Sequence, residues 1–213
     1  MINRRDTLIG LAGLYSVLTS ARAQGGEVVI GAIYPLSGPT AQVGADAKHA
    51  FDTALEVINT ASNLDLPTAK SAGLAGLGGA KVRIVYADHQ ADPQKGRAEA
   101  ERLITQEKVA AIVGCFHSSV STTVSATCER YGVPFVCADS SSPSLHRRNL
   151  KFFFRTAAHD EMFSEAMFNF LDAMKAKGQK IGSVGLFYED TIFGTDSSNV
   201  QRKLAAERGY KLA

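Results

Sequence analysis

Continuously apolar runs alternate with amphipathic segments along almost the whole chain, and few folds accept that pattern. Apolar runs occur at Glu27–Tyr34, Lys81–Asp88, Val109–Gly114, Val133–Ala138, Leu150–Ala157 and Lys180–Tyr188, and Tyr210–Ala213 opens another. Between them lie segments with one apolar face. Ala47, Ala50, Phe51, Ala54, Leu55 and Ile58 repeat at the spacing of a 3.6-residue helix. Asp92–Lys108 reads as a second helix, with Asp92 as N-cap and Pro93 in its first turn. Ser118–Tyr131 reads as a third. A fourth carries Phe163, Ala166, Met167, Phe170, Leu171 and Met174 on one face, read as core, and stops at Gly178. Gly194–Gly209 reads as a fifth. Strands that lack polar alternation are covered by helices on both faces. The expected architecture is therefore a doubly wound parallel α/β sheet. The unpaired last run implies that a second, similar lobe is only begun and that the sequence is truncated.

The first residues stand apart. A basic start, an apolar run of eleven residues at Leu8–Leu18 and an Ala-x-Ala site at Ala21 and Ala23 read as an export signal over residues 1–23. The run is too short to cross a bilayer as a helix. Arg4-Arg5 hints at twin-arginine export, with the general secretory route as the alternative. The expected domains are residues 1–23 as signal, 24–154 as an N-terminal lobe and 155–213 as a partial second lobe. Export implies a periplasmic location.

Composition excludes some partners. Net charge is only +2, and no basic stripe is interleaved with aromatics, so nucleic acid is not expected. The three cysteines, Cys115, Cys128 and Cys137, leave either free buried thiols or a Cys115–Cys137 bridge. No Cys-x-x-Cys pair or His/Cys cluster has metal-ligand spacing.

Ligands of open α/β sheets bind outside the carboxyl ends of the strands. The loops to inspect are Pro35–Asp46, Gly114–Ser119, Asp139–Ser144 and Glu189–Thr195, rich in Ser, Gly and Thr. Gly73–Lys81 ("GLAGLGGAK") is no phosphate loop, because no Lys-Ser or Lys-Thr follows and a strand comes next. "GCFHSSVS" is no Gly-x-Ser-x-Gly elbow. No nucleophile set or cofactor motif emerges, so the chain is not read as an enzyme. His49 and His89 read as surface or loop residues. His117, at a strand-to-helix turn, either lines a pocket or serves the turn. Ser118 opens a helix whose first amides lack partners, so its hydroxyl either caps that helix or helps bind an anion. Ser140, Ser141 and Ser142 form a second hydroxyl cluster at the next strand end.

The order of several motifs resembles the type I solute-binding proteins of bacterial ABC importers, the leucine/isoleucine/valine-binding group. "VVIGAIYPLSGPTAQVGADAKHAFDTALEVIN" is similar to the family's opening, and "YADHQADPQKGRAEAERLI" to its acidic turn and second helix. "GCFHSSVS" and "SSSPSL" resemble its ligand turns, "FFRTAAHD" its crossover and "YEDTIFGTD" a turn of lobe two. The resemblance implies a receptor that closes two hinged lobes on a small molecule and delivers it to a membrane ABC permease. It places the ligand's carboxylate at Ser118, with Ser119 beside it, and at Ser140 and Ser141. It puts His117 in a side pocket, Val43 on the first loop, and Phe193 with Tyr188 in lobe two. Phe193 lacks the hydroxyl of the family's tyrosine. Val43 is smaller than its counterpart and leaves room. The acidic residue that grips an amino group in the family falls beyond Ala213, so only the carboxylate half is legible. A branched-chain or related amino acid is the expected ligand. Aliphatic or aromatic carboxylates or amides are the alternative, as is a periplasmic sensor on the same fold.

Overall fold

The computed structural model describes residues 26–213. The export-signal reading therefore lies outside the described residues. By contact density the chain divides into two units, one holding residues up to Val28 with Ala50–Arg83, the other Val29–His49 with Ile84–Ala213.

In the first unit, the end of helix α1 (Ala41–Asn59) leads into an exposed excursion with two short 3-10 turns, Pro67–Ala69 and Ala75–Leu77. One side chain pins the far end. The Asn59 amide donates to Val82 O at 2.7 Å and accepts from Val82 N at 2.8 Å. Gly73 N donates to Ile58 O at 2.7 Å, closing the loop back on the helix.

The second unit contains most of a five-stranded sheet in the order β2-β1-β3-β4-β5: β1 (Glu27–Tyr34), β2 (Lys81–Asp88), β3 (Ala111–Gly114), β4 (Phe135–Cys137) and β5 (Phe153–Arg155). β1 pairs in parallel with β3, β3 with β4 and β4 with β5. This is the doubly wound parallel sheet expected from the apolar runs. Helix α2 (Pro93–Thr105) starts as predicted: the Asp92 carboxylate accepts from Gln94 N and Lys95 N. Helix α3 spans Ser118–Tyr131, the predicted range. The core gathers Ile33, Leu103, Ile112, Val120, Val124, Phe135 and Leu145, all essentially without solvent exposure. All three cysteines are free and buried, which removes the bridged alternative.

A smaller region follows β5. Helix α4 (Asp160–Ala176), β6 (Ser183–Val184), α5 (Ile192–Glu207) and β7 (Lys211–Leu212) pack around Phe168, Ala205 and Tyr210. β6 and β7 form a separate parallel pair. Among the described residues, no helix is long and apolar enough to cross a membrane.

Five expectations change. The last run, read as unpaired, does find a partner: Lys211 and Leu212 lie in parallel register with Ser183 and Val184. α1 begins at Ala41, inside the stretch read as loop. The strand expected over Lys180–Tyr188 shrinks to Ser183–Val184, and Phe187 is fully exposed. The Phe163, Met167 and Phe170 stripe, read as core, is exposed, whereas Phe168 and Ser164 are buried. Periodicity identifies an apolar face but not what covers it, and the described residues pack on the neighbouring face of α4. His89, read as surface, is completely buried, because the β2–α2 turn folds it beneath the end of β3.

Candidate functional site

The strand order reverses between β1 and β3. At such a switch point the loops leave in opposite directions and open a crevice at the carboxyl ends of the strands. A cleft of about 560 Å³ lies there. Thr40 comes from the loop after β1, Ala91 from that after β2, Phe116–Ser119 from the β3–α3 turn, and Asp139 and Ser141 from the loop after β4. Glu189, Thr191 and Phe193 line it from the segment that enters α5.

The turn after β3 depends on its backbone. Gly114 has φ +146°, and a Cβ there would sit 2.2 Å from Ile33 O. Phe116 follows at φ 70°, rare for a bulky residue. The turn thus brings His117 to the N-cap of α3, where it makes no side-chain cap bond. Ser118 is the first helical residue and not the cap. Its hydroxyl accepts from Ser142 N at 3.4 Å, tying the two serine loops together. The first amides of α3 have no intrahelical acceptor and carry the positive end of the helix dipole.

Behind the lining, hydroxyls join the β3 and β4 loops. Ser140 Oγ donates to Phe116 O at 2.9 Å. Its proton is thereby used, so Ser121 Oγ donates to Ser140 Oγ at 2.7 Å while accepting from Cys115 N at 3.3 Å. His89 props the same turn from below. Ala91 N donates to its Nδ1 at 2.9 Å, so the ring proton sits on Nε2 and is donated to Cys115 O at 2.8 Å. His89 meets the His117 ring edge-on, with centroids 5.3 Å apart. Burial lowers both histidines from their ordinary range, although Glu189 pulls His117 the other way. Both rings are therefore neutral at pH 7.

The cleft has a charged side as well. Asp139 and Glu189 both line it. Tyr34 donates its hydroxyl to Asp139 Oδ2 at 2.6 Å and holds that carboxylate in place. Burial first, then this bond, pushes the Tyr34 phenol far up. Among the described residues, buried His117 Nδ1 and Thr40 Oγ1 have no hydrogen-bond partner, and both residues line the cleft.

Of the residues singled out in the sequence, His117, Ser118, Ser119, Ser141 and Phe193 come together on this lining. Ser140 lies one layer behind, almost without exposure. Tyr188 borders an adjoining recess of about 330 Å³ that shares Ser141, Glu189 and Phe193 with the cleft. Val43, half-buried on α1, is not in the lining. Thr40, Phe116, Asp139, Glu189 and Thr191 were not singled out. Their position at the ends of predicted strands was the available signal, but it does not reveal which loop residues turn inward.

The sheet places this cleft at the switch point, where open α/β folds bind their ligands. The sequence profile described as "Periplasmic binding protein" matches residues 27–213, and the chain belongs to that family. It is 27% identical to "Leu/Ile/Val-binding protein homolog 3" of Brucella melitensis over 88% of this chain and 46% of the relative. The chain spans about half the length of the curated relatives it matches. Its fold resembles that of the leucine binding protein LivK of Thermotoga maritima, with a TM-score of 0.70 and 24% identity, over 87% of this chain and 47% of that one. It also resembles a solute binding protein of an ABC transporter from Rhodopseudomonas palustris solved with 3,4-dihydroxybenzoic acid. There the TM-score is 0.70 and identity 17%, over 88% and 46% of the two chains.

Proposed function

We propose that this chain is part of an extracytoplasmic receptor that binds a small carboxylate-bearing ligand, a branched-chain or related amino acid, and hands it to an ABC permease. Residues 24–154 form the first lobe and 155–213 begin the second, and closure about the crossover between them encloses the ligand. Ser118, Ser119 and Ser141, with the amides of α3, hold the carboxylate. His117 and Phe193 flank the side chain, with Tyr188 at the edge of the recess. Ser140 supports the wall, and Val43, on α1, stands outside the lining. The receptor acts in the periplasm and without catalysis.

One observation carries this reading. The positive end of α3 and two carboxylates, Asp139 and Glu189, belong to one cleft. That distribution complements a zwitterion, with the carboxylate at the helix and the ammonium near the acids. The sequence supported only the carboxylate half. The names of the Brucella and Thermotoga relatives point the same way. A second reading, an aromatic carboxylate, draws on the Phe116, His117 and Phe193 rings and on the Rhodopseudomonas relative. A periplasmic sensor would use the same site.

Calorimetric titration of the exported protein with L-leucine and with 3,4-dihydroxybenzoate separates the two ligands. Losing a charge-assisted bond costs roughly 1.5–3 kcal/mol, so Ser118→Ala should weaken binding at least about tenfold. Glu189→Gln should weaken the amino acid and spare the benzoate. If Ser118→Ala leaves affinity for every carboxylate within about twofold of wild type, far short of that loss, the site assignment fails.

A further inference from the structure

We propose that His146, His159 and Glu161 form a binding site for a divalent transition-metal ion, with Zn2+ as the fitting representative. The three come from two places. His146 lies on the 3-10 turn Pro143–Arg148 that follows β4. His159 is the N-cap residue of α4, and Glu161 sits in that helix's first turn. The sequence shows no recognised metal motif here: His159 and Glu161 are close neighbours, but His146 stands on a different element.

One ligand atom from each residue lies within 4.8 Å of the other two. Glu161 Oε2 is 3.5 Å from His159 Nδ1 and 3.9 Å from His146 Nε2. A tetrahedral zinc ion with its usual bond lengths sets neighbouring ligand atoms roughly 3.4 Å apart. Two edges of the triangle are already close to that value. The imidazole centroids are 4.7 Å apart and tilted by 50°, so neither ring blocks the other.

The three atoms converge without bonding one another. His159 Nδ1 is buried and has no hydrogen-bond partner among the described residues. Buried polar atoms rarely stay unpaired, and an ion on this nitrogen satisfies it. The carboxylate is also divided suitably. Arg147 takes Glu161 Oε1, leaving Oε2 toward the two histidines. A ligating carboxylate held by an outer partner is the usual arrangement at protein metal sites. Arg155 adds positive charge nearby, but its guanidinium donates to Ser141 O at 3.1 Å and Ser142 O at 2.8 Å. Two imidazoles and one carboxylate favour zinc-like ions over Mg2+ or Ca2+, which take oxygen donors. The fourth position is left to water. An ion there ties the turn carrying Ser142 and Ser144 to the start of α4.

The test is calorimetry on untagged protein stripped with chelator, titrated with Zn2+ and separately with Mg2+. One Zn2+ per chain should bind and Mg2+ should not. His146→Ala and His159→Ala should each weaken Zn2+ binding by at least about tenfold, the scale on which even supporting groups matter at metal sites. The exposed His49, altered to Ala as a control, should leave it unchanged. In wild-type protein, the imidazole NMR signals of His146 and His159 should shift on Zn2+ addition, while those of His49, His89 and His117 stay put. This second readout decides the matter should a variant fail to fold. Absence of Zn2+ binding, binding that survives both substitutions, or shifts confined to the other histidines would overturn the proposal.

Discussion

Ser144 donates its hydroxyl to Asp196 Oδ2 at 2.6 Å, linking the loop after β4 to helix α5 across 52 residues of sequence. The same oxygen accepts from Ser144 N at 3.3 Å and from the Ser142 hydroxyl. Burial by itself would raise the Asp196 carboxyl, but these bonds hold it below the ordinary range. Asp196→Ala removes the acceptor shared by the Ser142 and Ser144 hydroxyls, which lie 2.9 Å apart and are left only with each other. A stability loss of about 1–3 kcal/mol is expected, read from urea unfolding. The difference from wild type should shrink as pH falls through the depressed carboxyl pKa, because protonation weakens the same bonds.

Gly114 tolerates no side chain. Its φ of +146° disfavours every L residue, and a Cβ would lie 2.2 Å from Ile33 O. Gly114→Ala is expected to cost at least about 2–3 kcal/mol or to prevent folding. Because β1 and the β3 turn shape the cleft, any folded fraction should also bind ligand more weakly than wild type. Thermal melts and calorimetry check both outcomes.

Stability should depend on buried His89 and half-buried His117. Burial lowers the folded-state pKa of His89 and His117 below the ordinary value near 6.5. Below about pH 6.5 the unfolded chain binds protons that the folded chain refuses, so stability is complete above that value and declines as pH drops toward the depressed folded pKa. Asp160, raised by burial, acts in the opposite sense at more acid pH. The melting temperature of wild type should therefore fall between about pH 7.5 and 5.5, and His89→Asn should flatten that slope. An equal slope in both proteins would refute the assignment to His89.

The thiols should be silent in the folded protein. Cys115, Cys128 and Cys137 are fully buried, and burial pushes Cys128 up to about 12 and Cys115 well above the ordinary range. Only a thiolate reacts readily. A colorimetric thiol assay at about pH 8, just below the ordinary thiol pKa, should find no rapid reaction in native protein. After unfolding, all three cysteines should react.

The α/β class was legible because strands buried on both faces must be apolar throughout. The C-terminal limit of α3 has a local cause: Gly132 ends it in the left-handed conformation, with φ 66°. The start of α2 was set by the Asp92 carboxylate on two orphan amides. Such signals act within a few residues and survive in a one-dimensional reading. The stripe of Phe163, Met167 and Phe170 did not, because its 3.6-residue spacing is the same whether a partner covers it or not. His89 was misread for a related cause. A histidine beside an aspartate in a turn looks solvated until β3 is laid over it.

By itself, then, the sequence determined the alternation of strand and helix, the serine-rich turns at the strand ends and the polar character of a site there. Only the tertiary structure decided which loop residues face one another. It brought Asp139 and Glu189 to the cleft of Ser118, moved Ser140 into the wall behind it, and set His146 against His159 and Glu161 at the start of α4. Local propensity acts between near neighbours, whereas burial and convergence depend on which distant segments the sheet order sets side by side.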